Sequence, residues 1–226
     1  MPCLMNKFNP YKIAIFDCDG VILNSNQVKS DAFSLALTGE DPVQIKQFIL
    51  YHQAHGGVSR FIKFEYFFKE IRKSIDYQDD MKAALKRYAE LSKQGLMVCE
   101  EIPGVREQLK EFKKKGVKCY VISGGEQQEV RDVLNERGFN QYFKTIYGSP
   151  LSKVENLDII VKSGVISSPG VYFGDARSDY DASKEYGLDF VFVYGASEWN
   201  DGISFCKTEK VTMCTDFNSV DESDAR

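Results

Sequence analysis

The chain has 226 residues, 43% of them hydrophobic and 27% charged, and a chain of this size should bury roughly 70% of its unfolded surface, so global disorder is excluded. Its 33 acidic and 29 basic side chains give a net charge of −4, with no basic arm to neutralise a phosphate backbone, which excludes nucleic acid as the expected partner. At roughly 150 residues per domain, the length suits one large domain or one domain carrying a smaller insert, not a repeat array.

The first stretch, Met1 to Lys12, is polar, is punctuated by Pro2 and Pro10, and lacks the apolar centre of a secretory signal. Lys12 to Phe16 reads as a short buried strand running into Asp17-Cys-Asp-Gly20, where a glycine permits a sharp turn, so polar groups sit at a strand's carboxyl end. From about Asn26 to Met97 there are helical signals and no convincing strand. Asp41-Pro42 is a cap followed by a first-turn proline, and Asp79 precedes Met81, Ala84, Leu85, Tyr88 and Ala89 at helical spacing with Gly95 as the stop. An all-helical insert of residues 25–97 is expected, leaving 1–24 and 98–226 as the main domain.

After the insert, Pro103-Gly104 opens a helix with Val105, Leu109 and Phe112 on one face, stopped by Gly116. Strands are then expected at Val117–Ile122, Phe143–Tyr147, Val171–Phe173 and Phe190–Tyr194, alternating with helices at Glu126–Arg137, Val154–Ser163 and Ser178–Tyr186. That alternation predicts an α/β domain with a doubly wound parallel sheet, its ligand site outside the strands' carboxyl ends and roofed by the helical insert. The longest apolar run, Phe190 to Tyr194, cannot span a bilayer, so no membrane partner is expected. Six cysteines at 3, 18, 99, 119, 206 and 214 are too widely spaced for a CxxC zinc pair and suit a reduced, cytoplasmic compartment.

Asp17 and Asp19 are two carboxylates one residue apart at the tip of a buried strand. Like charges so close resist joint ionisation unless a cation or a shared proton relieves them; a hard divalent ion such as Mg2+ would serve, and an Asp can also attack phosphorus. A capped turn or another kind of metal site fits the bare motif equally well. Ser123 precedes Gly124-Gly125 at the expected start of a helix, an anion cradle or an ordinary cap. Lys153 could balance charge on a phosphoryl group or simply face solvent, and Asp175 and Asp179 in Gly174-Asp-Ala-Arg-Ser-Asp179 offer two more oxygen ligands or turn acids. All of these fall at the carboxyl ends of successive strands, the edge where such a sheet builds its site.

With those residues in view, the sequence resembles the haloacid dehalogenase superfamily of aspartate-nucleophile phosphohydrolases over essentially the whole chain, close to its phosphoglycolate-phosphatase-like and β-phosphoglucomutase-like branch. Phe16-Asp-Cys-Asp-Gly-Val-Ile is similar to the first motif, Val121-Ile-Ser123 to the second, Lys153 to the third, and Gly174–Asp179 to the fourth. The resemblance implies Asp17 as nucleophile, Asp19 as acid/base, Ser123 and Lys153 as phosphoryl ligands, and Mg2+ bound by Asp17, the Asp19 carbonyl and Asp175, with Asp179 ordering the metal or its waters. Asn24 stands where the family often has an acid and is expected to cap the following helix, and Val154 stands where proline is common. Gly57-Val-Ser-Arg60 looks like the mutase cap loop, with Arg60 expected to clamp a substrate phosphate or carboxylate; the mutase's adjacent lysine is Gly56 here, and its hinge histidine is Lys29. His52 and His55 are expected to face solvent or substrate, Phe61, Phe64, Tyr66, Phe67 and Phe68 to form mostly cap core, and Cys18 to be buried rather than nucleophilic.

The expected function is therefore a Mg2+-dependent phosphatase acting on a small phosphorylated metabolite, a sugar, polyol or organic-acid phosphate, through an aspartyl phosphate, as a monomer or homodimer. Asp17, Asp19, Ser123 and Lys153 carry catalysis; Asp17, Asp19, Asp175 and Asp179 the metal; Arg60, Lys29 and His55 the substrate. A phosphomutase is the alternative, and a binding protein that has lost catalysis a third possibility.

Overall fold

Ile13–Phe16 is fully buried and alternates between two apolar layers, Ala14 and Phe16 packing on one face and Ile13 and Ile15 on the other, as the two-residue period of a strand covered on both sides requires. This computed structural model describes residues 11–164 and 169–219, so Cys3 and the amino-terminal stretch read above lie outside the described residues. The strand β1 (Ile13–Phe16) is central in a six-stranded sheet with β2 (Lys118–Glu126), β3 (Phe143–Ser149), β4 (Gly170–Gly174), β5 (Asp189–Val193) and β6 (Thr212–Cys214), in the order β3-β2-β1-β4-β5-β6. Every pairing is parallel; Phe16 is level with Val121 of β2 and Phe173 of β4, which aligns the carboxyl ends of the three middle strands.

Helices cover both faces. α5 (Val105–Lys114) and α6 (Gln127–Glu136) bring Val105, Leu109, Phe112, Val130 and Leu134 against Phe16 and Phe173; α7 (Lys153–Lys162) and α8 (Arg177–Glu185) bring Leu157, Ile160 and Tyr180 against Ile15 and Tyr172. The expected α/β parallel sheet is present. Two short elements were not anticipated: α9 (Gly202–Thr208), which buries Cys206, and the three-residue β6.

Between β1 and α5 lie α1 (Asn26–Ala36), α2 (Pro42–Ala54), α3 (Arg60–Tyr66), a π-helical turn at Phe67–Ile71 and α4 (Gln78–Val98), with no strand among them. Their own apolar cluster, including Phe33, Phe48, Phe64, Phe67, Phe68 and Tyr88, draws on residues 32–91. Asp41 caps α2 through the Val43 amide with Pro42 in the first turn, as expected. Gly95, by contrast, does not end α4; a Cβ there would overlap Val28, so the glycine lets α4 and α1 approach closely. Asn24 is exposed, and the N-cap position of α1 is Ser25, without a side-chain cap bond.

No helix among the described residues is long and apolar enough to cross a membrane. The cysteines at 18, 99, 119 and 206 are free thiols.

Candidate active site

Asp17 lies one residue beyond β1, where its amide still donates to the Phe173 carbonyl of β4 (2.9 Å), so the sheet itself fixes the backbone of this residue. Its carboxylate is 3% exposed. Oδ1 accepts from the Cys18 amide (2.7 Å) and Oδ2 from Lys153 Nζ (2.9 Å). Lys153 opens α7 rather than preceding it, and its ammonium also donates to Asp179 Oδ1 (2.5 Å), while Asp179 Oδ2 accepts from the Ala176 amide (3.2 Å). Asp175 follows β4 and accepts from Asn26 Nδ2 (2.6 Å). One carboxylate oxygen from each of Asp17, Asp175 and Asp179 falls within 4.8 Å of the other two, all three buried. Gly20 sits at φ +73°, and a Cβ there would overlap the Asp175 carboxylate, so both the turn and the cluster require glycine.

Three buried acids with one ammonium are electrostatically incomplete. Burial pushes the Asp17 carboxyl up to about 7, Asp179 and Asp19 adding to that rise while Lys153 opposes it. Burial, with Asp17 and Asp179 beside it, holds Asp175 well above the usual carboxylate range, and the Lys153 ammonium is raised by its two carboxylates despite burial. A cluster of hard oxygen donors in that condition suits a divalent cation such as Mg2+.

Asp19 is not part of this cluster. Its Oδ1 accepts from Ser25 Oγ (2.6 Å) and its Oδ2 pairs with Lys29 Nζ (2.5 Å). Burial raises its carboxyl, but the Lys29 charge and hydrogen bond, with the Ser25 hydroxyl, outweigh it and leave it below the usual range. Lys29, expected to face substrate, is thus bonded to the second aspartate.

Ser123 is buried within β2, which runs on through Gly124-Gly125 to Glu126, and its Oγ accepts from the Gly125 amide (3.0 Å). Ser123 therefore does not stand at the start of α6 as expected: Glu126 accepts from the Gln128 and Glu129 amides and caps that terminus itself. Gly124 and Gly125 line the adjoining cavity, and a Cβ on Gly124 would overlap the Gly57 carbonyl of the loop before α3.

That cavity, of about 490 Å³, is within the range of small-molecule sites. It is lined from the sheet edge by Asp17, Asp19, Asp175 and Gly124, and from the helices by Lys29, Phe33, His52, Arg60, Lys63 and Tyr88. Arg60 does not present a free clamp. Its guanidinium is 4.5 Å from the Tyr88 ring and forms a two-bond fork with Glu129 of α6 (2.9 and 2.5 Å), a carboxylate also bonded by Ser92. His55 is exposed at the end of α2, lines the cavity, and bonds through Nδ1 to the Tyr51 carbonyl (2.8 Å). His52 lines the cavity too, but is buried there against Phe33 and bonded to Lys63. Burial, then Lys63, drive its imidazole down to about 2, and burial with Lys29 nearby lowers the Lys63 ammonium to about 7. Cys18 is buried as expected, its thiol raised by burial.

Asn26, Lys63, Glu129 and Glu198 were missed by sequence reasoning. Only Lys63 left a signal, standing three residues after Arg60 on one helix face. The others act across 69 to 168 residues of chain.

The sequence matches the family described as haloacid dehalogenase-like hydrolase over residues 14–193. It is 32% identical over 100 residues to a phosphoglycolate phosphatase of Pseudomonas savastanoi pv. phaseolicola, covering 41% of this chain; the chain spans only 37% of that relative's length. A phosphoglycolate phosphatase of Pseudomonas putida is 24% identical over 197 residues, or 81% of this chain and 70% of that protein. Among solved structures, the fold is similar to that of a predicted phosphoglycolate phosphatase from Haemophilus somnus, with a TM-score of 0.72 over 92% of this chain and 95% of that one at 18% identity. The parallel sheet, the acid cluster at its carboxyl edge and a family match over residues 14–193 lead to one conclusion: this chain belongs to the haloacid dehalogenase-like hydrolase family.

Proposed function

We propose that the protein is a Mg2+-dependent phosphatase of small phosphate monoesters, sugar, polyol or organic-acid phosphates, working through an aspartyl phosphate on Asp17. The observation that carries this reading is the placement of Asp17 at the floor of the cavity, bonded to Lys153 and grouped with Asp175 and Asp179. Bound Mg2+, held by Asp17, Asp175 and Asp179 with the Asp19 carbonyl, would neutralise phosphoryl charge and screen the acids from one another. The residues 25–97 act as the cap, and the resident compartment is the reduced cytoplasm.

In the first step an Asp17 oxygen forms a bond to phosphorus as the ester oxygen leaves, and Asp19, which takes up a proton from solvent as the phosphate binds, transfers it to that alkoxide. In the second, water attacks the aspartyl phosphate, its proton passes to Asp19, and phosphate is released with Asp17 restored. Lys29 and Ser25 hold Asp19 in its ionised form, which suits accepting the water's proton; an incoming phosphate dianion offsets the Lys29 charge and restores proton affinity for the acid half. Lys153 fixes the orientation of Asp17, and Ser123 lies beneath the glycines that border the phosphoryl position. The mutase alternative asks for a second phosphate clamp on the helical side, and the engagement of Arg60 by Glu129 argues against one there.

Asp17→Asn should abolish Mg2+-dependent hydrolysis of a generic aryl phosphate. Turnover retained in that variant overturns the reading.

A further inference from the structure

The helical wall of the cavity carries two buried donors that phosphoryl transfer does not use. Lys63, 2% exposed, directs its ammonium to His52 Nδ1 (2.7 Å) and to the His52 carbonyl (3.2 Å), and among the described residues no carboxylate lies within 4.0 Å of it. An ammonium has no lone pair, so with Lys63 protonated Nδ1 accepts from it and the neutral ring carries its proton on Nε2. Nε2 is buried and has no hydrogen-bond partner among the described residues. A buried donor left so is costly unless a ligand completes it.

Glu198 faces this pair from the sheet side. Its Oε1 accepts from Ser30 (3.0 Å) and Gln53 (3.2 Å), and its Oε2 stands 3.9 Å from His52 Nε2, too far for a direct bond and less than two hydrogen-bond lengths. A single oxygen between them would have to accept from the imidazole and donate to the carboxylate. A hydroxyl does both; a carboxylate cannot donate and would meet Glu198 with like charge. Lys29 and Arg60 are spoken for by Asp19 and Glu129, and the hydrogen bonds of the Lys63 ammonium go to His52.

We propose that His52, Lys63 and Glu198 form a recognition site for a substrate hydroxyl, so that the preferred ester is a polyol or sugar phosphate rather than a phosphorylated carboxylic acid. The assignment rests on the phosphatase reading and narrows its substrate. It departs from phosphoglycolate, the compound named for the relatives, which has a carboxylate where this site calls for a hydroxyl.

The test compares kcat/KM for glycerol phosphate, propyl phosphate and phosphoglycolate with Mg2+, in the wild-type chain and in Lys63→Met and His52→Phe. Wild type should favour glycerol phosphate over the deoxy analogue by about tenfold or more, because a site that bonds a hydroxyl is left unpaired by its absence, and over phosphoglycolate as well. Each variant should bring the glycerol-to-propyl ratio toward one. A wild-type ratio near one, a preference for phosphoglycolate, or variants that depress both neutral esters in proportion overturns the proposal; the wild-type ratios decide by themselves if a variant fails to fold. Asp17-dependent turnover of propyl phosphate reports separately on the phosphatase reading: its absence defeats that reading, whereas turnover without hydroxyl preference defeats only the recognition site.

Discussion

Lys63→Met should make the protein more stable near neutral pH, and by an amount that depends on pH in a defined way. Burial lowers this ammonium from its ordinary 10.5 to about 7, so between those limits the unfolded chain binds a proton that the folded chain does not. Stability of the wild type therefore rises with pH through this window, and the penalty is complete at about pH 7 and below. At about 1.4 kcal/mol per tenfold change in proton affinity, the full penalty is about 5 kcal/mol, of which about 3 to 4 kcal/mol develops between pH 10 and pH 7. Methionine fills the space of the lysine stem without the charge. It also leaves His52 Nδ1 without its donor, at a cost of about 1 to 3 kcal/mol that does not vary with pH over this range. Urea unfolding of both proteins at pH 7, 8, 9 and 10, without divalent cations, should show the variant ahead at pH 7 and losing that lead toward pH 10. A difference that stays flat across the series would mean that Lys63 remains charged in the fold, and the reasoning about its burial would be wrong. Gained stability together with lost substrate discrimination is the expected mark of a group placed for binding rather than for folding.

Two further outcomes follow from buried charges and the acid cluster. Arg60→Met leaves Glu129 buried with only Ser92 beside it and should cost about 3 to 5 kcal/mol in urea unfolding, most of it recovered when Glu129→Leu is added. Mg2+ at a hundred times its dissociation constant should add about 2.7 kcal/mol to the unfolding free energy, and Asp175→Asn or Gly20→Ala should remove that gain; Gly20→Ala also costs about 1 kcal/mol from its left-handed backbone. A melting temperature indifferent to Mg2+ in the wild type would contradict the metal assignment.

The α/β sheet was legible because its signals are local and repeat: short apolar strands such as Ile13–Phe16 and Asp189–Val193, amphipathic helices, and glycines such as Gly116 and Gly138 at helix ends. The acid cluster was legible for a topological reason, since Asp17, Asp175 and Asp179 each follow a strand whose neighbours are parallel and in register. What failed was tertiary. A polar-looking Ser123-Gly-Gly stretch continues as strand because β3 pairs with β2 as far as Glu126 and Ser149. Gly95 carries no local sign that Val28 packs against it, and the three-residue β6 is specified by its place beside β5 rather than by its own sequence. Arg60 presents the residue type of an anion clamp, and only the fold reveals that its anion is Glu129, 69 residues on. His52 and His55 are three residues apart at the end of α2, yet one turns into the aromatic cluster and the other out, a distinction that depends on Phe33 and Lys63.

The account depends most on Asp17 as the atom-to-atom acceptor of the phosphoryl group, and capture of that bond tests it directly. Asp19→Asn, mixed with a reactive aryl phosphate and Mg2+ and quenched in acid, should gain the mass of one phosphoryl group on the peptide that contains Asp17. Phosphate on any other residue, or an unmodified Asp17 peptide while aryl alcohol is still released, would contradict it.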